Sequence, residues 1–176
     1  MHTRSLNDNT HPPSTLLPWL VHPYSITEKL KERFGEARLH VLHQGWHHTR
    51  WWEKYALDLD HQTILQRDIM MFSNQIPCWF ARSIIPKLTY TANESLFLRL
   101  KTESLGNIIF NDDTIVRQSM THYPITKQCL EYYWPNAAWV NNAPILWLRS
   151  SHYLIKDQFP FFLSEIFLPE WTRILV

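Results

Sequence analysis

Apolar and polar positions alternate with period two along much of this chain, and where they do so they predict strands. Over Arg38 to His48, Leu39 and Val41 alternate with polar neighbours. Thr63 to Phe72 and Pro77 to Ile85 are two longer apolar runs, separated by Ser73-Asn74-Gln75-Ile76, which has the composition of a hairpin loop. Further strands are expected over Thr114 to Thr121, Ile145 to Tyr153 and Phe159 to Leu168. Helical spacing appears in two places. Ser25-Ile26-Thr27-Glu28 is a capping-box pattern, Leu30 and Phe34 follow four apart on one face, and Gly35 stands where a left-handed C-terminal cap is wanted. Asn93 to Ser104 carries Leu96, Phe97 and Leu100 at helical spacing, with Asn93 as the cap. This pattern is that of an α+β protein, a single and mostly antiparallel sheet with few helices covering one face. Residues 1–15 have no apolar period and are expected to form a flexible tail. The anchors Leu16, Leu17, Trp19, Leu20 and Val21 then open a single domain over residues 16–176, in which His122 to Asn142 is the stretch without a readable period.

Composition narrows the function classes. With 17 Lys and Arg against 16 Asp and Glu in 176 residues, the formal charge of +1 gives no electrostatic reason for nucleic acid as a partner. The nine tryptophans are therefore assigned to packing rather than to base stacking. Three dispersed glycines, Gly35, Gly45 and Gly106, cannot build a dinucleotide fingerprint or a P-loop. Cys78 and Cys129 are too few for a disulfide framework or a multi-thiolate zinc site, which points to a reducing compartment. No stretch approaches the roughly 20 apolar residues of a spanning helix, and no signal-peptide pattern opens the chain, so a cytoplasmic monomer without stable membrane insertion is expected.

Alternation also marks charges in apolar strands. Glu165 shares a face with Phe161, Leu163 and Phe167, and its other-face neighbours Phe162, Ile166 and Leu168 are apolar too. Burial of an unpaired carboxylate costs several kcal/mol, so Glu165 needs a partner or a raised pKa. Arg82 lies on the face of Phe80 and Ile84, and Arg149 on that of Ile145, Trp147 and Tyr153, which makes both arginines candidate partners. Two readings stay open: a structural ion pair between strands, or a pocket in which arginine forks hold a substrate carboxylate and Glu165 accepts from a hydroxyl. His40, His43 and His47 have the spacing of a helical metal face, but in a strand His40 and His43 point to opposite sides, so no metal site is assigned. Cys78 beside Trp79 is read as a small hydrophobe.

Five segments in order resemble the bacterial chorismate pyruvate-lyases: Arg67-Asp68-Ile69, Trp79-Phe80-Ala81-Arg82-Ser83-Ile84-Ile85-Pro86, Ser104-Leu105-Gly106 with Ile109-Phe110, Leu146-Trp147 with Arg149, and Ser164-Glu165-Ile166-Phe167-Leu168-Pro169. The resemblance runs from Trp19 onward. It implies a cofactor-free enzyme that converts chorismate to 4-hydroxybenzoate and pyruvate, the opening step of ubiquinone biosynthesis, on an antiparallel sheet with helices on one side and flaps over a buried ligand. It further implies that Arg82 clamps the ring carboxylate and that Glu165 bonds the ring hydroxyl. Ile26 and Leu105 would contribute backbone amides, and Arg149 would face the enolpyruvyl carboxylate. Ile26 stands where the family often has Met, and the stretch from Arg117 to Trp147 is longer than is usual there. The alternative is a non-catalytic domain of the same fold that senses or sequesters an aromatic acid, as in regulators that carry a winged-helix domain ahead of it. About 20 preceding residues are too few for such a domain.

Overall fold

The computed structural model describes residues 11–101 and 103–175. The first ten positions of the expected tail lie outside the described residues. In chain order the elements are α1 (Leu17–Leu20), α2 (Ile26–Phe34), β1 (Arg38–His48), α3 (Trp51–Ala56), β2 (Thr63–Ser73), β3 (Ile76–Pro86), α4 (Lys87–Ala92), α5 (Glu94–Leu98), α6 (Leu105–Phe110), β4 (Ile115–Ile125), α7 (Ala137–Val140), β5 (Leu146–Ile155), β6 (Phe159–Phe167) and α8 (Pro169–Ile174). The six strands form one open antiparallel sheet in the order β1-β2-β3-β6-β5-β4. No helix among the described residues is long and apolar enough to cross a membrane.

Local chemistry sets most boundaries. Ser25 Oγ accepts from the Glu28 amide to start α2, and Gly35 ends it at φ 81°, a left-handed conformation that glycine adopts without cost. Asn74 and Gln75, at φ 48° and 67°, make the two-residue turn between β2 and β3. The helix expected over Asn93 to Ser104 is instead broken. The chain enters α4 directly after Pro86, and Asn93 leaves helical geometry at φ −135° while its Nδ2 donates to the Thr89 carbonyl. Asn93 thus closes α4 with its side chain, and α5 is short, followed by a 3-10 turn over Arg99–Lys101.

Odd-numbered positions of β2, β3, β5 and β6 face a large core built with the helices: Leu65, Ile69, Trp79, Ile85, Tyr153, Phe161 and Phe167 pack with Trp19, Leu30, Phe97, Leu105 and Trp171. The opposite face has its own cover. The stretch that carried no readable period lies here as a 3-10 turn at Leu130–Tyr133 followed by α7, and Tyr132 and Val140 pack on Met70, Phe80, Leu148 and Ile166. A bulge between Val41 and His43 shifts β1 by one residue, so His40 and His43 fall on one face, opposite Met70 and Asp68, where uninterrupted alternation separates them. No three His, Cys, Asp or Glu side chains among the described residues converge as a metal site.

Candidate functional site

A cavity lies between the helix-covered face of the sheet and the starts of two helices. Its floor is Arg67, Ile69 and Met71 of β2, Trp79, Ala81 and Ser83 of β3, Leu163 and Glu165 of β6, and Arg149 and Tyr153 of β5. Its roof is Ser25, Ile26 and Thr27 at the start of α2, with Ser104, Leu105, Gly106 and Phe110 of α6. Ser25 and Ser104 are the N-caps, so Ile26 and Leu105 are first-turn residues whose amides have no partner within their helices. The two roof segments meet: a Cβ at Gly106 would stand 3.1 Å from Ser25 Oγ, so a side chain there would push against the cap of α2.

Three charged groups of the floor are almost wholly removed from water. Arg149 and Glu165 are directly opposite each other on β5 and β6, at 2 % and 5 % exposure. Arg149 Nε donates to Glu165 Oε2 at 2.6 Å, and its Nη1 donates to the carbonyls of Trp19 and His22. Arg67 is 2 % exposed and differs. Its Nη2 donates to the Leu100 carbonyl at 3.2 Å, and among the described residues its buried Nε has no partner and no carboxylate lies within ion-pair distance. Burial without a counter-charge lowers the Arg67 pKa, which records the cost of desolvating the cation. A buried guanidinium with an idle donor has the chemistry to receive an anion. In sheet geometry Arg67 and Glu165 lie two strands and two residues apart, roughly 12 Å between Cα positions.

Of the residues singled out in the sequence, the structure brings Ile26, Leu105, Arg149 and Glu165 together around the cavity and leaves Arg82 out. Arg82 points to the opposite face. There its Nε and Nη2 make a bidentate pair with Asp68 at 2.8 and 2.7 Å, and its guanidinium lies 4.3 Å from the ring centre of Trp134. Gln66 donates to the same carboxylate and in turn meets His47. The physical reason is one residue of register. A two-residue turn with regular pairing would set Arg82 opposite Arg67, on the cavity side. A bulge where β3 passes Cys78, between the pairs Phe72–Pro77 and Met71–Trp79, shifts the strand by one, so Arg82 pairs with Asp68 and Ser83 with Arg67. Cys78 itself is fully buried, and burial pushes its thiol up to about 12, a value at which it is inert as a nucleophile. Tyr153 and Ser83 also went unmarked in the sequence. Arg67 was visible only as part of a motif, although its alternation with Leu65, Ile69 and Met71 is the signal that marked Glu165.

Comparison with known proteins places this geometry in a family. The chorismate lyase family profile matches residues 4–176. A probable chorismate pyruvate-lyase of Shewanella sp. strain MR-4 is 27 % identical over 166 residues, covering 93 % of this chain and 83 % of its own length. The chorismate pyruvate-lyase of Pectobacterium carotovorum is 25 % identical over 173 residues, covering 95 % and 86 %. Among solved structures, the effector domain of PhnF from Mycobacterium smegmatis superposes with TM-score 0.56 at 15 % identity, over 82 % of this chain and 88 % of that one. A GntR-family transcriptional regulator from Bacillus cereus superposes with TM-score 0.56 at 12 % identity, over 77 % and 93 %. At these identities the structural matches establish a shared fold. The profile match over nearly all of its length shows that the chain belongs to the chorismate lyase family.

Proposed function

We propose that the protein is a chorismate pyruvate-lyase that yields 4-hydroxybenzoate and so opens ubiquinone biosynthesis. The observation that carries this reading is the cavity itself, in which an unpaired, buried Arg67 and the Arg149–Glu165 pair stand apart across an apolar floor under two helix starts. A substrate with a ring carboxylate at one end and a ring hydroxyl at the other fits that layout. Arg67 takes the ring carboxylate in place of Arg82, whose charge the Asp68 carboxylate already neutralises on the face away from the cavity. The Ile26 and Leu105 amides add neutral donors from the roof. Glu165 accepts from the ring hydroxyl, and Arg149 supplies positive charge on the side where the enolpyruvyl carboxylate lies.

The chemistry asks for little beyond this. The ether bond to the enolpyruvyl oxygen breaks at one ring carbon, the proton leaves the neighbouring carbon that bears the hydroxyl, and the ring becomes aromatic. Aromatisation supplies the driving force, so the protein has to hold the ether in the conformation from which it can leave and stabilise the charge that grows on the departing oxygen. Arg149, fixed by Glu165 and two main-chain carbonyls, is already oriented and needs no reorganisation to do so. Glu165 orients the hydroxyl; the proton passes to the methylene carbon of the departing enolpyruvate, directly or by way of the Glu165 carboxylate, and this makes it pyruvate.

The test is to mix purified protein with chorismate in dialysed buffer containing a chelator and to follow 4-hydroxybenzoate by absorbance and pyruvate by a coupled assay. Equimolar release of both is expected. Binding of 4-hydroxybenzoate without turnover would replace the lyase reading by that of an aromatic-acid binding protein.

A further inference from the structure

The connection between α1 and α2, Val21 to Ser25, is a strap that ends at the roof residue Ser25; its Val21 and Tyr24 are exposed, and it has no strand pairing of its own. Two arginines hold it. Arg149, from beneath, takes the Trp19 and His22 carbonyls and belongs to the site already described. Arg117 holds it from β4, outside the cavity. Its Nη1 donates to the Pro23 carbonyl at 2.7 Å. Its Nε and Nη2 both donate to the Tyr153 hydroxyl, at 3.0 and 2.9 Å, and Tyr153 is a floor residue at 1 % exposure. The same guanidinium lies 5.4 Å from the ring centre of Phe110, which belongs to the other half of the roof, and the Tyr24 and Phe110 rings meet edge to face beside it. A bulge between Arg117 and Ser119 interrupts the pairing of β4 with β5 at this point.

One half-buried side chain therefore joins the strap, the second roof segment and the floor. A connection that is partly exposed and unpaired opens at low cost unless groups outside it hold it, and Arg117 does so with a charge-assisted bond and an aromatic contact. We propose that Arg117 is a positioning residue that pins the strap to Tyr153 and Phe110 and thereby sets how fast a ligand enters and leaves the cavity. The identity of that ligand as an aromatic acid rests on the lyase reading; the pin does not.

Two measurements test this together. Amide hydrogen exchange on the ligand-free protein reads the strap directly, and stopped-flow displacement of 4-hydroxybenzoate reads its escape. Arg117→Ala should speed exchange over residues 21–27 by about tenfold or more, leave β2 and β3 unchanged, and raise the dissociation rate by a similar factor. Arg117→Lys keeps a donor for Pro23 but cannot fork onto the tyrosine, and Tyr153→Phe keeps the Pro23 bond alone, so both should fall between wild type and Arg117→Ala. They carry the test if the alanine variant does not fold. Unchanged strap exchange, or faster exchange with an unchanged dissociation rate, would overturn the proposal. Faster strap exchange in a protein that does not bind 4-hydroxybenzoate at all would support the pin and contradict the lyase reading.

Discussion

Asp68 and Arg82 face each other across β2 and β3, as Arg149 and Glu165 do across β5 and β6, and both pairs are made by directly opposed residues. Their surroundings differ. On the face away from the cavity the guanidinium of Arg82 is satisfied by two carboxylate bonds and a tryptophan ring, and the pair keeps 13 % and 10 % side-chain exposure. On the cavity face Arg149 gives Glu165 a single bond and donates from Nη1 to two main-chain carbonyls, while Arg67 nearby has no ion-pair partner among the described residues. A closed pair holds two strands together and has no net charge left to offer an anion. An excess of buried positive charge, by contrast, is tolerated where an anion completes it.

Breaking the open cation should give the largest effect. Arg67→Met is expected to lower kcat/KM on chorismate by about 100-fold or more, at least ~2.7 kcal/mol of lost stabilisation. Its melting temperature should be unchanged or higher, because an unpaired buried charge has been removed. Initial rates and a thermal melt check both. Glu165→Gln strikes the coupled pair. Turnover should fall about tenfold or more, and the melting temperature should drop by roughly 4–8 °C, since Arg149 would lose its counter-charge but keep a neutral acceptor. Arg82→Met sharpens the contrast from the other face: the melting temperature should fall by a few degrees as Asp68 loses its partner, with kcat/KM per folded molecule within about twofold of wild type.

The smallest effect concerns pH. Desolvation lowers the pKa of His152, which is stacked on Phe162 of the outer face, and lowers that of His22 in the strap, with Lys29 and Arg149 adding to the latter shift. Both imidazoles thus favour the neutral form when folded. The stability they contribute is complete above the unfolded value of 6.5 and is lost as pH falls through the lower folded values. Melting temperature should decline from about pH 6.5 downward, and His152→Gln should flatten part of that slope in a pH series of thermal melts.

The strands were legible because alternation with a buried face is a strong local signal: β1 ends at Arg38 and His48 as the pattern predicts, and Ser25 and Gly35 bound α2. The charged pairs were legible as buried charges needing partners. What alternation does not encode is register and roofing. Both parities of β2 and β3 are apolar, so Arg67 and Arg82 are equally plausible floor residues until the extra residue at Cys78 turns Arg82 away. The resemblance to chorismate lyases gave family and fold correctly, yet a motif containing Arg82 does not say which face that arginine occupies. The breaks at Asn93 and the folded cover formed by 130–140 depend on side-chain bonds and packing across the sheet, which have no period along the chain.

The central claim is that Arg67, and not Arg82, is the cation open to the cavity. Calorimetric titration of 4-hydroxybenzoate into wild type, Arg67→Met and Arg82→Met, all confirmed folded, tests it most directly. Affinity should fall by about 100-fold or more in Arg67→Met and stay within about threefold of wild type in Arg82→Met. Wild-type affinity in Arg67→Met, or its loss in Arg82→Met, would contradict the account.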